Sequence, residues 1–244
     1  MLDKKVIVVT GGSGLLGKSI IADIRSKNGI AVNAEIKVKS DKTNQTVYCD
    51  ITNEDSITEM FQFVLENFGR IDGIVNNAYP YTSDWGTKFE DVPLDSWRKN
   101  VDMQLNSCFV ICKMGLEIMR MQKSGAIVNI ASIYGVVGND FTVYENTALT
   151  SPAAYAAIKG GVINFSRYLA SYYGPHGIRV NCVSPGGIFN DQNPVFVKQY
   201  ENKVPLKRMA KPEDISPSVS FLLSEEAKYI TGHNLIVDGG WTAI

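Results

Sequence analysis

Short runs of apolar, often β-branched residues alternate with longer amphipathic stretches along the whole chain. The short runs predict seven strands, at residues 6–10, 30–34, 47–50, 71–76, 126–132, 179–184 and 235–238. Between them, apolar residues recur at helical spacing in residues 15–26, 54–67, 94–121, 153–173 and 213–223. Near-continuous apolar strands separated by helices indicate a parallel sheet with helices on both faces. No repeat or linker divides the chain, so the pattern predicts one α/β domain over residues 1–244.

Composition narrows the class of partner. The chain has 45% hydrophobic and 20% charged residues, which is ordinary for a globular protein, and its net charge of -1 favours neither nucleic acid nor an anionic membrane as partner. The apolar run at residues 6–9 is too short for a signal peptide or a membrane span, and a cytoplasmic location is predicted. Cys49, Cys108, Cys112 and Cys182 lie in apolar segments without a nearby His, which predicts reduced, buried thiols and no metal site.

In parallel α/β sheets, ligands bind beyond the carboxyl ends of the strands, so the residues after each strand are candidates for chemistry. After the first strand, Gly12, Gly14 and Gly17 fit G-x-G-x-x-G between a strand and a helix. Such glycines let a pyrophosphate approach the N–H groups of the helix N-terminus. A purely structural turn is the alternative. The predicted cofactor contacts in this loop are Gly11, Ser13, Gly14, Leu15, Leu16 and Gly17.

Acidic residues follow the next two strands. Glu35 could accept hydrogen bonds from ribose hydroxyls and would repel a 2′-phosphate, which favours NAD over NADP. Lys37 or Lys39 could instead approach a phosphate, so NADP stays open. Asp50 and Ile51 are placed to meet an adenine edge, although Asp50 could merely cap the next helix.

One stretch pairs a phenol with an ammonium. Ser151 and Pro152 predict a helix start, as N-cap and first helical residue, and place Tyr155 and Lys159 one turn apart on one face. An ammonium beside a phenol favours the phenolate and lowers the pKa of the Tyr from about 10. Such a phenol could exchange a proton with a carbonyl or alcohol oxygen. An ordinary amphipathic helix is the alternative. Ser132, after the fifth strand, could donate a hydrogen bond to a substrate oxygen or merely cap a turn.

Taken together, these positions resemble the short-chain dehydrogenase/reductase family over essentially the whole chain. The matching features are the glycine-rich loop, Asp50, Asn76-Asn77-Ala78, Ser132, Tyr155 with Lys159, Pro185-Gly186, Thr231-Gly232 and Asp238-Gly239-Gly240. The resemblance implies a Rossmann-like sheet of seven strands, a homodimer or homotetramer, and hydride transfer between a nicotinamide cofactor and a small-molecule alcohol or ketone. It makes Tyr155 the acid/base, gives Lys159 the nicotinamide ribose and makes Ser132 the group that orients the reacting oxygen. Further cofactor contacts are implied at Asn77, Ala78, Pro185, Gly186, Ile188 and Asn190.

Two departures from the family pattern bear on function. Gln104 stands where the family has the Asn of its catalytic set, and its side-chain amide or backbone carbonyl could hold a relay water. The segment between Ser132 and Tyr155 is longer than usual, with an insertion at residues 138–147. With Tyr79, Tyr81, Asp84 and Trp85, this insertion predicts an aromatic and polar wall over the active site. Such a wall suits polyhydroxylated substrates, because each desolvated hydroxyl needs a partner. A lid loop whose polarity reflects only contact with solvent is the alternative.

The inserted pattern resembles the flagellin-modification and surface-polysaccharide branch of the family. That likeness implies oxidation or reduction of a sugar or sugar phosphate in glycan assembly. A substrate loop is predicted at about residues 190–210, where Lys198, Lys203, Lys207 and Arg208 could grip a phosphate or form a solvated basic face. A 3-oxoacyl or general carbonyl reductase remains an alternative. Gln104 also leaves open a dinucleotide-sensing module without catalysis.

Overall fold

A computed structural model describes residues 2–244 and shows a seven-stranded sheet. The strands are β1 (Val6–Thr10), β2 (Ile30–Glu35), β3 (Thr46–Tyr48), β4 (Gly73–Asn76), β5 (Gly125–Ile130), β6 (Ile178–Pro185) and β7 (Asn234–Val237). Their order is β3-β2-β1-β4-β5-β6-β7, and every neighbouring pair is parallel. The strand order reverses between β1 and β4, so a crevice for ligands is expected there. The predicted sheet is confirmed.

Helices cover both faces of the sheet. They are α1 (Leu15–Ser26), α2 (Glu54–Phe68), α3 (Leu94–Val101), α4 (Ser107–Gln122), α5 (Ala153–Tyr173), α6 (Pro194–Lys203) and α7 (Pro212–Leu223). Val6 and Val8 of β1 are buried in a core that includes residues of α2, α4 and α5, whereas Ile7 and Val9 are buried in a core that includes residues of α1 and α7. Because successive strand residues face opposite sides, a strand covered on both faces has no polar alternation. The predicted Rossmann-like α/β class is confirmed.

Two helix boundaries differ from the prediction. The expected helix at residues 94–121 contains a π-helical turn, Asp102–Asn106, between α3 and α4, and Gln104 is buried in it. One additional residue in a turn leaves almost no trace in hydrophobic periodicity. α5 begins at Ala153 rather than Pro152, so Pro152 is its N-cap and Ser151 does not cap it. The Ser151 hydroxyl instead accepts a hydrogen bond from Asn139.

A third apolar cluster lies beside the carboxyl end of the sheet. It contains Ile133, Val143, Phe196, Tyr200, Val204, Met209 and Trp241. This cluster joins the inserted segment to α6, which occupies the middle of the predicted substrate loop. No helix within residues 2–244 combines the length and the apolar character that crossing a membrane requires.

Candidate active site

The ends of β1 and β4 are pinned together at the crevice. Gly11 has a φ of 63°, and a Cβ there would lie 2.8 Å from the Ala78 Cα, so only glycine fits without displacing backbone. The Asn77 side-chain amide donates to the carbonyls of Thr10 and Gly11, at 3.0 and 3.1 Å. The Thr10 hydroxyl accepts from the backbone N–H groups of Asn77 and Ala78, both at 3.1 Å. The floor of the crevice is therefore rigid.

The N-terminus of α1 opens onto a cleft of about 610 Å³. Gly14 is the N-cap of α1 and no side chain caps the helix, so the N–H groups of its first turn are available to an anion. The cleft is bordered by Gly11, Gly14, Leu15, Leu16, Gly17, Glu35, Lys37, Asp50, Ile51, Asn77, Ala78 and Tyr79, among others. The cleft runs from the N-terminus of α1, which suits a pyrophosphate, to the carboxylate of Glu35, which suits ribose hydroxyls, so its lining fits a dinucleotide. Nearly all the cofactor contacts that were predicted after the first four strands border this cleft.

The acidic residues border the cleft, while Ser13 does not. One oxygen of Glu35 accepts from the N–H of Ile36 at 2.9 Å. Asp50 accepts from the N–H and hydroxyl of Thr52, and α2 is capped by Asn53, so the alternative that Asp50 caps this helix is wrong. The Ser13 hydroxyl is turned to the Asn33 amide at 3.0 Å. Of the two lysines, Lys37 borders the cleft and Lys39 does not.

Ser132, Tyr155 and Lys159 meet in a second cavity of about 430 Å³. It continues from the cleft, because Leu15, Leu16, Asn77 and Tyr79 border both. Pro185, Gly186, Ile188 and Asn190 line it as predicted. Ser132 lies just beyond the carboxyl end of β5, and its Oγ accepts a hydrogen bond from the N–H of Tyr134 at 3.2 Å. α5 presents Tyr155 and Lys159 from one face, and Lys159 Nζ donates to the Ile130 carbonyl at 2.8 Å.

Burial controls the charges of these two groups. It raises the pKa of Tyr155, and the hydrogen bond with Ser132 lowers that pKa only in part. Burial also lowers the pKa of Lys159, to about 8. The expectation that the ammonium brings this pKa below its ordinary value is therefore wrong for the protein chain alone, because desolvation of the phenolate outweighs it.

Gln104 lies behind this site. Its Nε2 donates to the Pro80 carbonyl at 2.9 Å, while its Oε1 is buried without a partner. Gln104, Asn76 and Lys159 line a small cavity of about 30 Å³, and Asn76 Oδ1 is also buried without a partner. A water needs about 10–15 Å³ and two to four polar neighbours. The cavity meets both conditions, so Gln104 and Lys159 could share a water there.

The substrate side of the second cavity is rich in tyrosines. Besides Tyr155, it is lined by Tyr79, Tyr134, Tyr144 and Tyr200. Of these, Tyr134 and Tyr200 were not predicted. The Tyr200 hydroxyl accepts from the N–H of Gly187 at 2.5 Å. Both positions depend on how the third apolar cluster packs, for which single-sequence patterns carry no signal.

The insertion at residues 138–147 contributes less of this wall than predicted. Within it, only Tyr144 lines the cavity. Other residues of the insertion contact α6, where Gln199 Nε2 donates to the Glu145 carbonyl at 2.8 Å and Lys203 pairs with Asp140 at 2.8 Å. The insertion therefore mainly supports α6 and lines the cavity only through Tyr144.

The loop after β4 also differs in part from the predicted wall. Tyr79 lines the cavity, and Trp85 Nε1 donates to the Tyr79 hydroxyl at 2.8 Å. Tyr81 stacks on Trp85, with ring centroids 6.2 Å apart. The other three predicted wall residues, Tyr81, Asp84 and Trp85, do not border this cavity. Tyr81 borders the first cleft instead, and the Asp84 carboxylate accepts from Ser96 of α3.

The cations of the predicted substrate loop do not form a phosphate grip. Lys203 pairs with Asp140, and Arg208 pairs with Asp214. Lys207 Nζ donates to the Asn202 carbonyl, and Lys198 is exposed. Among the charged residues that the structure describes, only Lys159 lines the second cavity.

Known proteins share this architecture. A family model described as enoyl-(acyl carrier protein) reductase matches residues 17–242. Post-translational flagellin modification protein A of Campylobacter coli is 32% identical over 254 residues, which cover 99% of each chain. The chain belongs to the short-chain dehydrogenase/reductase family of oxidoreductases. The expected likeness to a flagellin-modification protein is confirmed.

Other members of the family are about equally similar. A 3-oxoacyl-(acyl-carrier-protein) reductase of Buchnera aphidicola is 32% identical, with 97% of each chain covered. The crystal structure of a short-chain dehydrogenase from Leptospira borgpetersenii with bound NAD+ matches with a TM-score of 0.89 at 35% identity, covering 99% of this chain and 94% of the other.

Proposed function

We propose that this short-chain dehydrogenase/reductase uses NAD to interconvert an alcohol and a ketone on an uncharged, hydroxyl-bearing ring, such as a sugar used in surface-glycan assembly. The observation that carries the proposal is the meeting of Ser132, Tyr155 and Lys159 in a cavity joined to the dinucleotide cleft.

The three side chains have separate tasks. A bound nicotinamide supplies or accepts the hydride. Tyr155 exchanges a proton with the substrate oxygen through its hydroxyl, and Ser132 donates a hydrogen bond to that same oxygen. Lys159, held by the Ile130 carbonyl, places a positive charge beside Tyr155 when the phenolate forms. Gln104 is proposed to hold the water that passes protons to Lys159 from behind.

The preference for NAD rests on Glu35. Its carboxylate borders the cleft at the end of β2, where a 2′-phosphate would meet a like charge. The relative from Leptospira borgpetersenii, which holds NAD+, supports the same choice. We therefore propose NADH as the tighter ligand, with NADPH the weaker.

An uncharged substrate follows from the lining of the second cavity. Burying an unpaired phosphate is costly, and within residues 2–244 no cation besides the catalytic Lys159 lines the cavity. Substrate hydroxyls, in contrast, have partners in the side chains of Tyr144 and Asn190. The structure therefore supports a sugar better than a sugar phosphate. The flagellin-modification relative supports the same direction.

A 3-oxoacyl reductase is the second candidate function, favoured by the 3-oxoacyl-(acyl-carrier-protein) reductase relative. The two functions are separated by following NADH absorbance with three kinds of ketone. These are neutral keto-sugars or cyclic hydroxyketones, their phosphate esters, and a 3-oxoacyl thioester. We expect turnover of a neutral ring ketone at least tenfold above that of its phosphate ester. Faster turnover of the thioester would support the second candidate, and faster turnover of the phosphate ester would refute the uncharged substrate.

We also propose that the protein works as a homodimer or homotetramer paired through α4 and α5. Phe109, Tyr168 and Tyr172 on these helices are 49%, 61% and 61% exposed. Exposed apolar patches of this kind mark interaction surfaces. Sedimentation should show an oligomer that Tyr168→Lys weakens, whereas a parent protein that sediments as a monomer would contradict the proposal.

A further inference from the structure

The ammonium of Lys159 is buried with few partners. Lys159 is 9% exposed, and its Nζ has one conventional hydrogen-bond acceptor, the Ile130 carbonyl. An ammonium can donate three hydrogen bonds. None of the ion pairs found over residues 2–244 includes Lys159. A buried charge without a counter-ion is expensive, so some other group must help to stabilise it.

The ring of Tyr79 is such a group. Lys159 Nζ lies 5.5 Å from the centroid of the Tyr79 ring and 5.6 Å from that of the Tyr155 ring. A cation within about 6 Å of an aromatic centroid is attracted by the negative face of the ring. Tyr155 shares α5 with the lysine, whereas Tyr79 comes from the loop after β4. Tyr79 therefore brings an independent element against the ammonium.

The orientation of this ring is fixed by its neighbours. Trp85 Nε1 donates to the Tyr79 hydroxyl at 2.8 Å, and the two rings meet edge to face at 5.9 Å. Tyr79 also meets Tyr155 edge to face, with centroids 5.7 Å apart at 80°. No substrate is needed to hold the ring in place.

We propose that Tyr79 is a positioning residue, whose ring face keeps the Lys159 ammonium charged and in place beside Tyr155. Its importance for turnover rests on the proposed function, in which Lys159 stabilises the Tyr155 phenolate. The contact between ring and ammonium is a property of the chain itself.

The other groups around Lys159 do not replace this contact. The thiols of Cys108 from α4 and Cys182 from β6 favour the charged lysine, but burial raises the pKa of Cys182 to about 12, so that thiol stays neutral at pH 7. Within residues 2–244, no Asp or Glu forms an ion pair with the lysine. Loss of the Tyr79 ring face should therefore lower the Lys159 pKa.

The direct test replaces Tyr79 by phenylalanine and then by phenylalanines that carry one, two and three ring fluorines. These rings keep nearly the same shape, while each added fluorine reduces the negative electrostatic potential over the ring face. The Lys159 pKa is followed by NMR of the 13Cε resonance in the protein without cofactor, assigned with Lys159→Arg. We expect the pKa to fall stepwise with fluorination, by about one unit over the series, from the size of ring–cation contacts. A pKa that is the same throughout the series would overturn the proposal.

A second readout concerns catalysis. The high-pH limb of kcat/KM should move to lower pH with the same variants. Tyr229→Leu, which removes an exposed ring that lines neither cavity, should leave the position of the limb unchanged. A shifted NMR pKa without turnover of any ketone would support the role of Tyr79 and count against the proposed function. Turnover with a high-pH limb that stays in place across the fluorinated series would support the proposed function and count against the role of Tyr79.

Discussion

Replacement of Lys159 by methionine should make the protein more stable at neutral pH while it removes activity. The lysine is buried, and burial lowers its pKa from 10.5 to about 8. One pKa unit corresponds to about 1.4 kcal/mol, so carrying the charge at pH 7 costs the folded state roughly 3 kcal/mol relative to the unfolded chain. Methionine removes that cost with a side chain of similar length, but it leaves the Ile130 carbonyl without its donor, which costs about 1–2 kcal/mol. The net gain expected for Lys159→Met is therefore about 1–2 kcal/mol at pH 7.

The pH dependence gives this prediction its sign. Below pH 8 the lysine is protonated in both states, and the full cost is present. Between pH 8 and 10.5 only the unfolded chain keeps the proton, so the cost in the parent protein disappears as the pH rises. The advantage of Lys159→Met should thus be largest at pH 7 and nearly gone by pH 9.5.

Urea unfolding at pH 7 and pH 9.5 measures this difference, and Lys113→Met, at an exposed lysine of α4, is the control for loss of a charge. A Lys159→Met protein that is less stable than the parent at pH 7 would show that the buried charge does not destabilise the folded state. So would a stability difference that does not change with pH.

Three further predictions concern the cleft and the relay. Gly11→Ala should destabilise the fold by about 1–3 kcal/mol, because the φ of 63° and the nearby Ala78 Cα exclude a Cβ. The control Gly14→Ala should unfold near the parent's urea midpoint, and the same midpoint for both variants would contradict this prediction. Glu35→Ala should weaken NADH binding about tenfold and narrow the preference for NADH over NADPH in fluorescence titrations. An unchanged ratio of the two dissociation constants would show that Glu35 does not select the cofactor. Gln104→Leu should lower kcat about tenfold with KM little changed, and Gln104→Asn should recover part of the loss. Equal rates for these two variants would show that the amide does not take part.

The arrangement of the fold was predictable because each of its signals is local. Uninterrupted apolar strands and helical spacing indicated a covered parallel sheet, and the position of Gly11 to Gly17 between a strand and a helix indicated the crevice. Tyr155 and Lys159 could be paired because residues four apart on a helix share a face whatever the rest of the chain does.

What could not be predicted depends on packing. The pKa of Tyr155 depends on how deeply its hydroxyl is buried, which no spacing reveals. Asp84 looked like a wall residue by proximity in sequence, but the turn it belongs to faces α3. Tyr200 reaches the cavity only because α6 packs on the insertion, and residues in the π-helical turn at Gln104 follow no regular period.

The role of Tyr155 is tested most directly by Tyr155→Phe. NADH binding by fluorescence and turnover of the best ketone are measured on the same preparation. This role predicts that the variant binds NADH within about twofold of the parent, since the hydroxyl acts on the substrate oxygen, and that kcat falls by about a thousandfold. Turnover within tenfold of the parent would contradict it, and so would a parent protein that binds no NADH.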